Sequence, residues 1–408
     1  MELALREICD FINGGPWSED EYVDAGIRVV KVSNMEDGRI VPRNDDNFLP
    51  LSKYEKYKKH ELKTDDVVVA TVGSHPTQPG SVVGRTSRIP PEYSGSFLNQ
   101  NAVCLRSKNP ELCNQRYLFY LSQTVLFRHH IESRARGSAN QVRMAVSELK
   151  KFTAVYPCVK LQKKIAAVLS AYDELIENNR RRITLLEALA ENVYREWFVR
   201  FRFPGHDKVT FAKGAPARWE QRRLGSVLEL CYGKALKEAD RVPGDFHVYG
   251  SSGVVGSHNE ALVKGPGLIV GRKGNVGSVF FADRGFFPID TVYFVKSDFP
   301  NTFLYFLLRS MNFINNDAAV PGLNRGQAYS NELSLPPNAL ILEFARIADA
   351  HFEMKQILVR QNENLISVRD QILPRLISGK LSLKNIDIHF PASMAEESGA
   401  DSRLTAHA

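Results

Sequence analysis

A long amphipathic pattern occurs twice in this chain, with the second copy half the chain after the first. It runs from Leu161 to about Phe198, and again from Glu343 to about Ile377. Ile165 and Ala166 match Ile347 and Ala348. Tyr172 matches Met354, Ile176 matches Leu358, Asn179 matches Gln361 and Ile183 matches Leu365. The approach is shared too, with Ser147-Glu148-Leu149 before the first copy and Asn331-Glu332-Leu333 before the second. So long a period excludes a solenoid. It implies a duplicated unit, a globular head followed by a long helix. At about 38 residues and 1.5 Å per residue, each helix would run roughly 57 Å, too far to pack inside one small domain.

The helical apolar positions step by three and four, which makes a seam for a helical partner, most simply the other repeat. The first helix offers Ile165, Leu169, Tyr172 and Ile176; the second offers Ile347, Met354, Leu358 and Leu365. Asn179 and Gln361 interrupt the seam at matching places. They either form a buried polar pair that fixes register or lie at the solvent edge of the stripe. The first helix is expected to stop before Pro204-Gly205, and the second at Ser378-Gly379, where glycine can cap. Residues 1–157 and 204–338 are then the heads, 158–203 and 339–380 the helices, and 381–408 a tail. Beyond Phe390 the tail is small and polar, which predicts disorder.

A chain of 408 residues has room for two domains and their helices. No run of about 18 apolar residues is present to span a membrane. The amino-terminal Met1-Glu2-Leu3-Ala4 lacks a basic, apolar leader. The five cysteines are scattered and form no CxxC pair, which points to reduced thiols in the cytoplasm. The net charge of +7 permits nucleic-acid binding without establishing it. Its distribution says more. Residues 7–66 are rich in Asp and Glu. Residues 85–151 are basic, with Arg128, Arg134, Arg136, Arg143, Lys150 and Lys151 close together. That stripe is either a phosphate-binding surface or a solvated helix face.

Both heads mix short strands and helices without regular alternation, which indicates α+β. In the first, Ile27–Val32, Val67–Val72, Ser81–Gly84 and Asn101–Leu105 read as strands, and Gln115 to Ile131 as one helix. In the second, Leu268–Val270, Val276–Phe281 and Thr291–Val295 read as strands, and Phe303 to Asn312 as a helix. Asn101-Ala102-Val103 corresponds to Thr291-Val292-Tyr293. Identity between the heads is low, as expected of one fold carrying two different surfaces.

No catalytic signature stands out. Gly271-Arg272-Lys273-Gly274-Asn275-Val276-Gly277 lacks the spacing and following Ser or Thr of a phosphate loop, and lies between strands. It reads as a glycine-rich basic hairpin whose Arg, Lys and Asn suit phosphate or base-edge contacts. No HExxH occurs, and the adjacent His129 and His130 cannot readily share a metal on a helix. The Asn/Asp-Pro-Pro-aromatic motif of an amino-methyltransferase is missing. No metal or cofactor is expected in this chain. Three polar loops could face DNA: Gly73 to Gly80, Arg136 to Arg143, and Gly322 to Gln327, the last two each preceding a long helix.

Taken in order, several segments resemble the specificity subunit of type I restriction–modification systems. They are Trp219-Glu220, Arg223-Leu224-Gly225, Tyr232-Gly233-Lys234 and Val248 to Gly256. Gly267 to Gly277, Phe287-Pro288-Ile289-Asp290-Thr291, Leu161 to Ala166, Trp197 to Phe201 and Ile372 to Lys380 continue the series. The first head matches through Gly73 and Gly137-Ser138-Ala139-Asn140-Gln141. The resemblance implies two similar target-recognition domains, each reading half of an asymmetric, two-part DNA site. They would be separated by two long conserved helices forming an antiparallel coiled coil. It also implies that two methyltransferase subunits dock here and that a restriction translocase can join them. S-adenosylmethionine, ATP and Mg would belong to those partners, and this chain would be non-catalytic. Candidate DNA-facing residues are His75, Gln78, Arg85, Arg136, Asn140, Gln141 and Arg143 in the first head. In the second they are Lys234, Arg272, Lys273, Asn275, Asn324, Arg325 and Gln327. The competing readings are a coiled-coil scaffold without DNA reading, and an enzyme with an unrecognised site.

Overall fold

The computed structural model describes residues 1–408 apart from 75–81, 138–141, 213, 314–321 and 396–408. The chain forms two compact units. One comprises Met1–Ile176 with the segment from Asn364 onward, the other Glu177–Glu363. Each long helix therefore contributes to both.

In the first unit a four-stranded antiparallel sheet has the order Cys9–Asn13, Ala102–Ser107, Val67–Ala70, Thr86–Arg88. The period of two along its central strands divides their apolar residues between two cores. Val67, Val69, Val103 and Leu105 enter one cluster, and Val68, Ala70, Ala102 and Cys104 the other. A second sheet runs Phe97–Leu98, Ile27–Val30, Asn47–Leu49, parallel at its first pairing and antiparallel at its second. Glu2–Ala4 pairs with Thr153–Val155 just before the first long helix.

The second unit repeats this plan. Its four-stranded sheet is Glu229–Tyr232, Val292–Lys296, Gly267–Gly271, Val279–Ala282. Gly253–His258, Phe246–Gly250 and Phe286–Pro288 form the three-stranded sheet, with the same parallel and antiparallel pairings. Glu220–Arg223 pairs with Glu332–Leu335 before the second long helix. Equivalence extends to single atoms. A methyl group on Gly14 would lie 1.8 Å from the Asn99 carbonyl oxygen, and one on Gly233 would lie 2.0 Å from that of Ile289. Only glycine fits either place.

The long helices span Val159–Tyr194 and Asn338–Ile377. The first widens into a π turn at Arg195–Val199 before Pro204. The second closes at Gly379, whose φ of 74° places it in the left-handed region, with its N–H on the Leu376 carbonyl. Their starting points put the repeat register three residues from the one expected. Ile165, Ala166 and Leu169 correspond to Phe344, Ala345 and Ala348, all buried. Three residues is nearly one helical turn, so the apolar stripe superposes on itself in either register.

The helices are antiparallel in each unit. In the first, Ile165 and Leu169 share a core with Leu373 and Leu376, and Asp173 meets Arg369. In the second, Asn179 meets Asn362, Glu187 meets Lys355, and Tyr194 packs on Phe344. This corrects the expected seam, in which Ile165 to Ile176 faced Ile347 to Leu358. Ile347 instead packs against the cluster of Tyr194, Phe344 and Phe352. Met354 is 42 % exposed. Ile176 and Leu358 are buried, whereas Tyr172 and Leu365 are half-buried. Gln361 is exposed, and the polar partner of Asn179 is its neighbour Asn362.

Three other expectations change. Gln115 to Ile131 is two helices, Gln115–Ser122 and Val125–Glu132, because Thr124 caps the second through the Phe127 N–H. Val82 to Gly84 is a turn, with the strand beginning at Thr86. The chain beyond Ile377 stays on the first unit up to its last described residues. Leu383 and Met394 are buried in that core, the Arg116 guanidinium donates to Ser393, and the Lys164 ammonium donates to the Ile386 carbonyl at 2.6 Å. Disorder after Phe390 is thus not the state of Ala392–Met394, which form a helical turn.

Candidate DNA interface

The strand Glu229–Tyr232 ends at Gly233, Gly267–Gly271 leads into the basic hairpin, and Asp290-Thr291 leads into Val292–Lys296. All three ends meet at one edge of the second unit's sheet, since Tyr232, Val270 and Tyr293 are neighbours across it. Here two guanidiniums stand over the Tyr232 ring, which is 52 % exposed. Those of Arg272 and Arg325 each stand 5.3 Å from its centroid. Arg272 also lies over Tyr293, at 5.9 Å. Among the described residues neither arginine has an ion-pair partner. Two like charges on one ring are held by its quadrupole and left open to an anion or an acceptor edge.

The backbone fixes this place. Arg272 N–H donates to the Thr291 carbonyl at 2.9 Å, and its own carbonyl accepts from Leu323 at 2.7 Å. The Lys273 N–H also reaches Thr291, at 3.1 Å. The Tyr293 hydroxyl donates to the Leu323 carbonyl at 3.0 Å, and burial, with Tyr232 adding to it, pushes its pKa up to about 12. Gly274 and Gly277 turn the hairpin in left-handed conformations. Asn275 leans on Ser252 at 3.4 Å. Asn324 caps the short helix that carries Arg325 by accepting from the Gln327 N–H, so its carbonyl oxygen is already engaged. Lys234 and Lys273 are exposed, and Gln327 is half-buried.

The first unit has the same scaffold with other side chains. Thr71 N–H donates to the Asn101 carbonyl at 2.9 Å, and Met144 N–H to the Thr71 carbonyl at 2.8 Å. Thr71 therefore stands where Arg272 stands. Its hydroxyl is turned onto the Asn101 carbonyl at 2.9 Å and the residue is buried. Asn13 occupies the place of Tyr232. The exposed cations are supplied differently. Arg136 and Arg143 exchange both backbone hydrogen bonds, at 3.0 and 2.9 Å, so their side chains leave the same face of the ribbon. Like charges directly opposed destabilise such a pair unless an anion neutralises them. Arg143 in turn pairs with Val72, beyond the end of Val67–Ala70.

The basic stripe is not one surface. Arg116 is buried against Asp65, Arg106 pairs with Asp66, and Arg134 and Lys151 share Glu148. Arg85 is half-buried and donates to the Met35 carbonyl at 2.7 Å. His75, Gln78, Asn140 and Gln141 lie outside the described residues. Tyr232, the centre of the cluster, was not among the residues expected to face DNA. Its signal is its position, one residue before the glycine that ends a strand. Among the described residues no three His, Cys, Asp or Glu side chains are grouped to hold a metal, and no helix is long and apolar enough to cross a membrane.

A duplicated α+β scaffold, each copy carrying arginines without an ion-pair partner among the described residues, defines the class: a protein of two repeated domains with long helices. The chain belongs to the type I restriction modification DNA specificity domain family, whose pattern it matches over residues 1–188 and 216–358. It is 25 % identical over 332 residues to the type I restriction enzyme MjaIX specificity subunit of Methanocaldococcus jannaschii, covering 69 % of this chain and 75 % of that one. A putative type I restriction enzyme MjaX specificity subunit from the same organism is 20 % identical over 93 % of both chains. The fold is similar to the crystal structure of a type I restriction-modification system S subunit from M. genitalium, with a TM-score of 0.56 and 17 % identity over 92 % of this chain and 96 % of that one.

Proposed function

We propose that this chain reads a bipartite, asymmetric site in double-stranded DNA, one half with each head. The observation that carries this reading is the contrast at equivalent positions. Tyr232 and Arg272 in one head are Asn13 and Thr71 in the other, on the same hydrogen-bonded backbone. A shared scaffold positions both heads alike, while different side chains read different bases. The long helices dock two methyltransferase subunits, and through them the restriction subunit. Exposed Leu175, Leu185 and Leu189 on the first helix, and Ile357 on the second, supply apolar area for that docking. S-adenosylmethionine, ATP and Mg belong to these partners, and the complex works in the cytoplasm.

The test is to map methylated adenines in a host carrying the methyltransferase with and without this chain. A two-part motif that depends on the chain is expected. Methylation without the chain, or with no defined motif, contradicts the reading.

A further inference from the structure

Arg272, which is half-buried, differs from the exposed cations around it in how completely it is held. Its backbone is hydrogen-bonded on both sides, to Thr291 and Leu323. Its Nε donates to the Asp290 carbonyl at 3.2 Å, and its face is covered by Tyr232 and Tyr293. A guanidinium held over two rings and tied at its Nε has its terminal amino groups left to act as donors. No carboxylate pairs with it among the described residues. A rigid two-pronged donor matches the O6 and N7 acceptors of guanine in the major groove. Arg325 shares the Tyr232 ring but, among the described residues, has neither the second ring nor the Nε hydrogen bond of Arg272, and Lys273 is exposed. They suit phosphates, where a mobile point charge suffices.

We infer that Arg272 reads one guanine in the half-site of the second head, with Tyr232 and Asp290 as positioning residues. This rests on the DNA-reading function proposed above and assigns one of its bases. The first head supplies an internal comparison. Thr71 takes the same backbone place with its side chain turned inward, and the scaffold forms without a cation there. The arginine is therefore not required by the fold.

The inference is tested by sequence selection from a randomised duplex pool, using the chain in complex with its methyltransferase. Arg272→Gln and Arg272→Lys should relax the preference for guanine at a single position of one half-site, by about 5- to 100-fold. The other half-site should be unchanged. Tyr232→Leu should relax the same position by less, and Tyr232→Phe should not. Thermal melting of each variant shows whether it is folded. Uniform weakening with the selected sequence intact would make Arg272 a phosphate contact and overturn the assignment. Unchanged binding would remove it from the interface. If the unaltered complex selects no sequence at all, it is the DNA-reading function that fails.

Discussion

The side-chain amide of Asn179 donates to that of Asn362 at 3.0 Å, in a buried pairing of the two long helices. A polar pair inside an apolar seam favours one register, because a shifted register breaks the amide–amide hydrogen bond. Asn179→Ala should cost about 1–3 kcal/mol, since it removes the donor to the Asn362 side-chain oxygen inside the buried seam. Asn179→Leu combined with Asn362→Leu should recover most of that loss. A double-mutant cycle by urea denaturation checks this, and additive losses would contradict it.

A carboxylate clasp ties the helices to each head. In the first unit Asp173 accepts from the Tyr120 hydroxyl at 2.6 Å and from Arg369 at 2.7 Å. In the second, Glu187 accepts from Tyr305 at 2.7 Å and Lys355 at 2.6 Å. Burial raises the Glu187 pKa, but hydrogen bonds from Lys355 and Tyr305 outweigh it and hold the value below the usual 4.5. A lowered folded-state pKa gives stability that is present above about pH 4.5 and lost as pH falls through the folded value. Glu187→Gln should flatten the fall of unfolding free energy below pH 4.5 while lowering stability at pH 7. An unchanged acid limb would show that the clasp is not linked to folding.

The segment Leu381 to Met394 acts as a strap on the first unit. Met394 is 1 % exposed in a core it shares with Leu383 and Leu376. Met394→Ala should therefore cost about 2–5 kcal/mol, as for other buried methionines. Calorimetry should show the loss in the transition of the first unit. A change below about 0.5 kcal/mol, the range of surface substitutions, would place the strap outside the folded core.

Arg136 and Arg143 leave one face of a backbone-paired ribbon without ion-pair partners among the described residues. Arg136→Ala with Arg143→Ala should reduce the slope of log affinity against log salt by about two, and leave the selected sequence unchanged. Titration of labelled duplex over a range of salt concentrations checks it. An unchanged slope would take this ribbon out of the interface.

What the sequence displayed was periodicity and order. The two long helices, the central strands and the equivalence of Asn101 with Thr291 are legible because apolar spacing and turn residues repeat. Exact register was not legible. A shift of three residues keeps the same face inward, so Ile347 takes the place of Phe344. Asn362 was hidden for another reason, because its pairing with Asn179 is set by contact between antiparallel helices and not by equivalent repeat positions. The strap was hidden because Leu383 and Met394 are isolated apolar residues in a polar tail, and only tertiary contact shows what they cover. Tyr232 was hidden for a similar reason. Its two arginines lie about 40 and 90 residues away and meet it only through the register of the sheet.

Head exchange tests whether the two heads read DNA independently. Residues 206–337 would be replaced by the equivalent head of a relative, leaving both long helices in place. Methylated adenines would then be sequenced in a host carrying the methyltransferase. The expected result is a new motif in which one half changes and the other is kept. A hybrid that folds and supports methylation yet changes both halves, or neither, would contradict it.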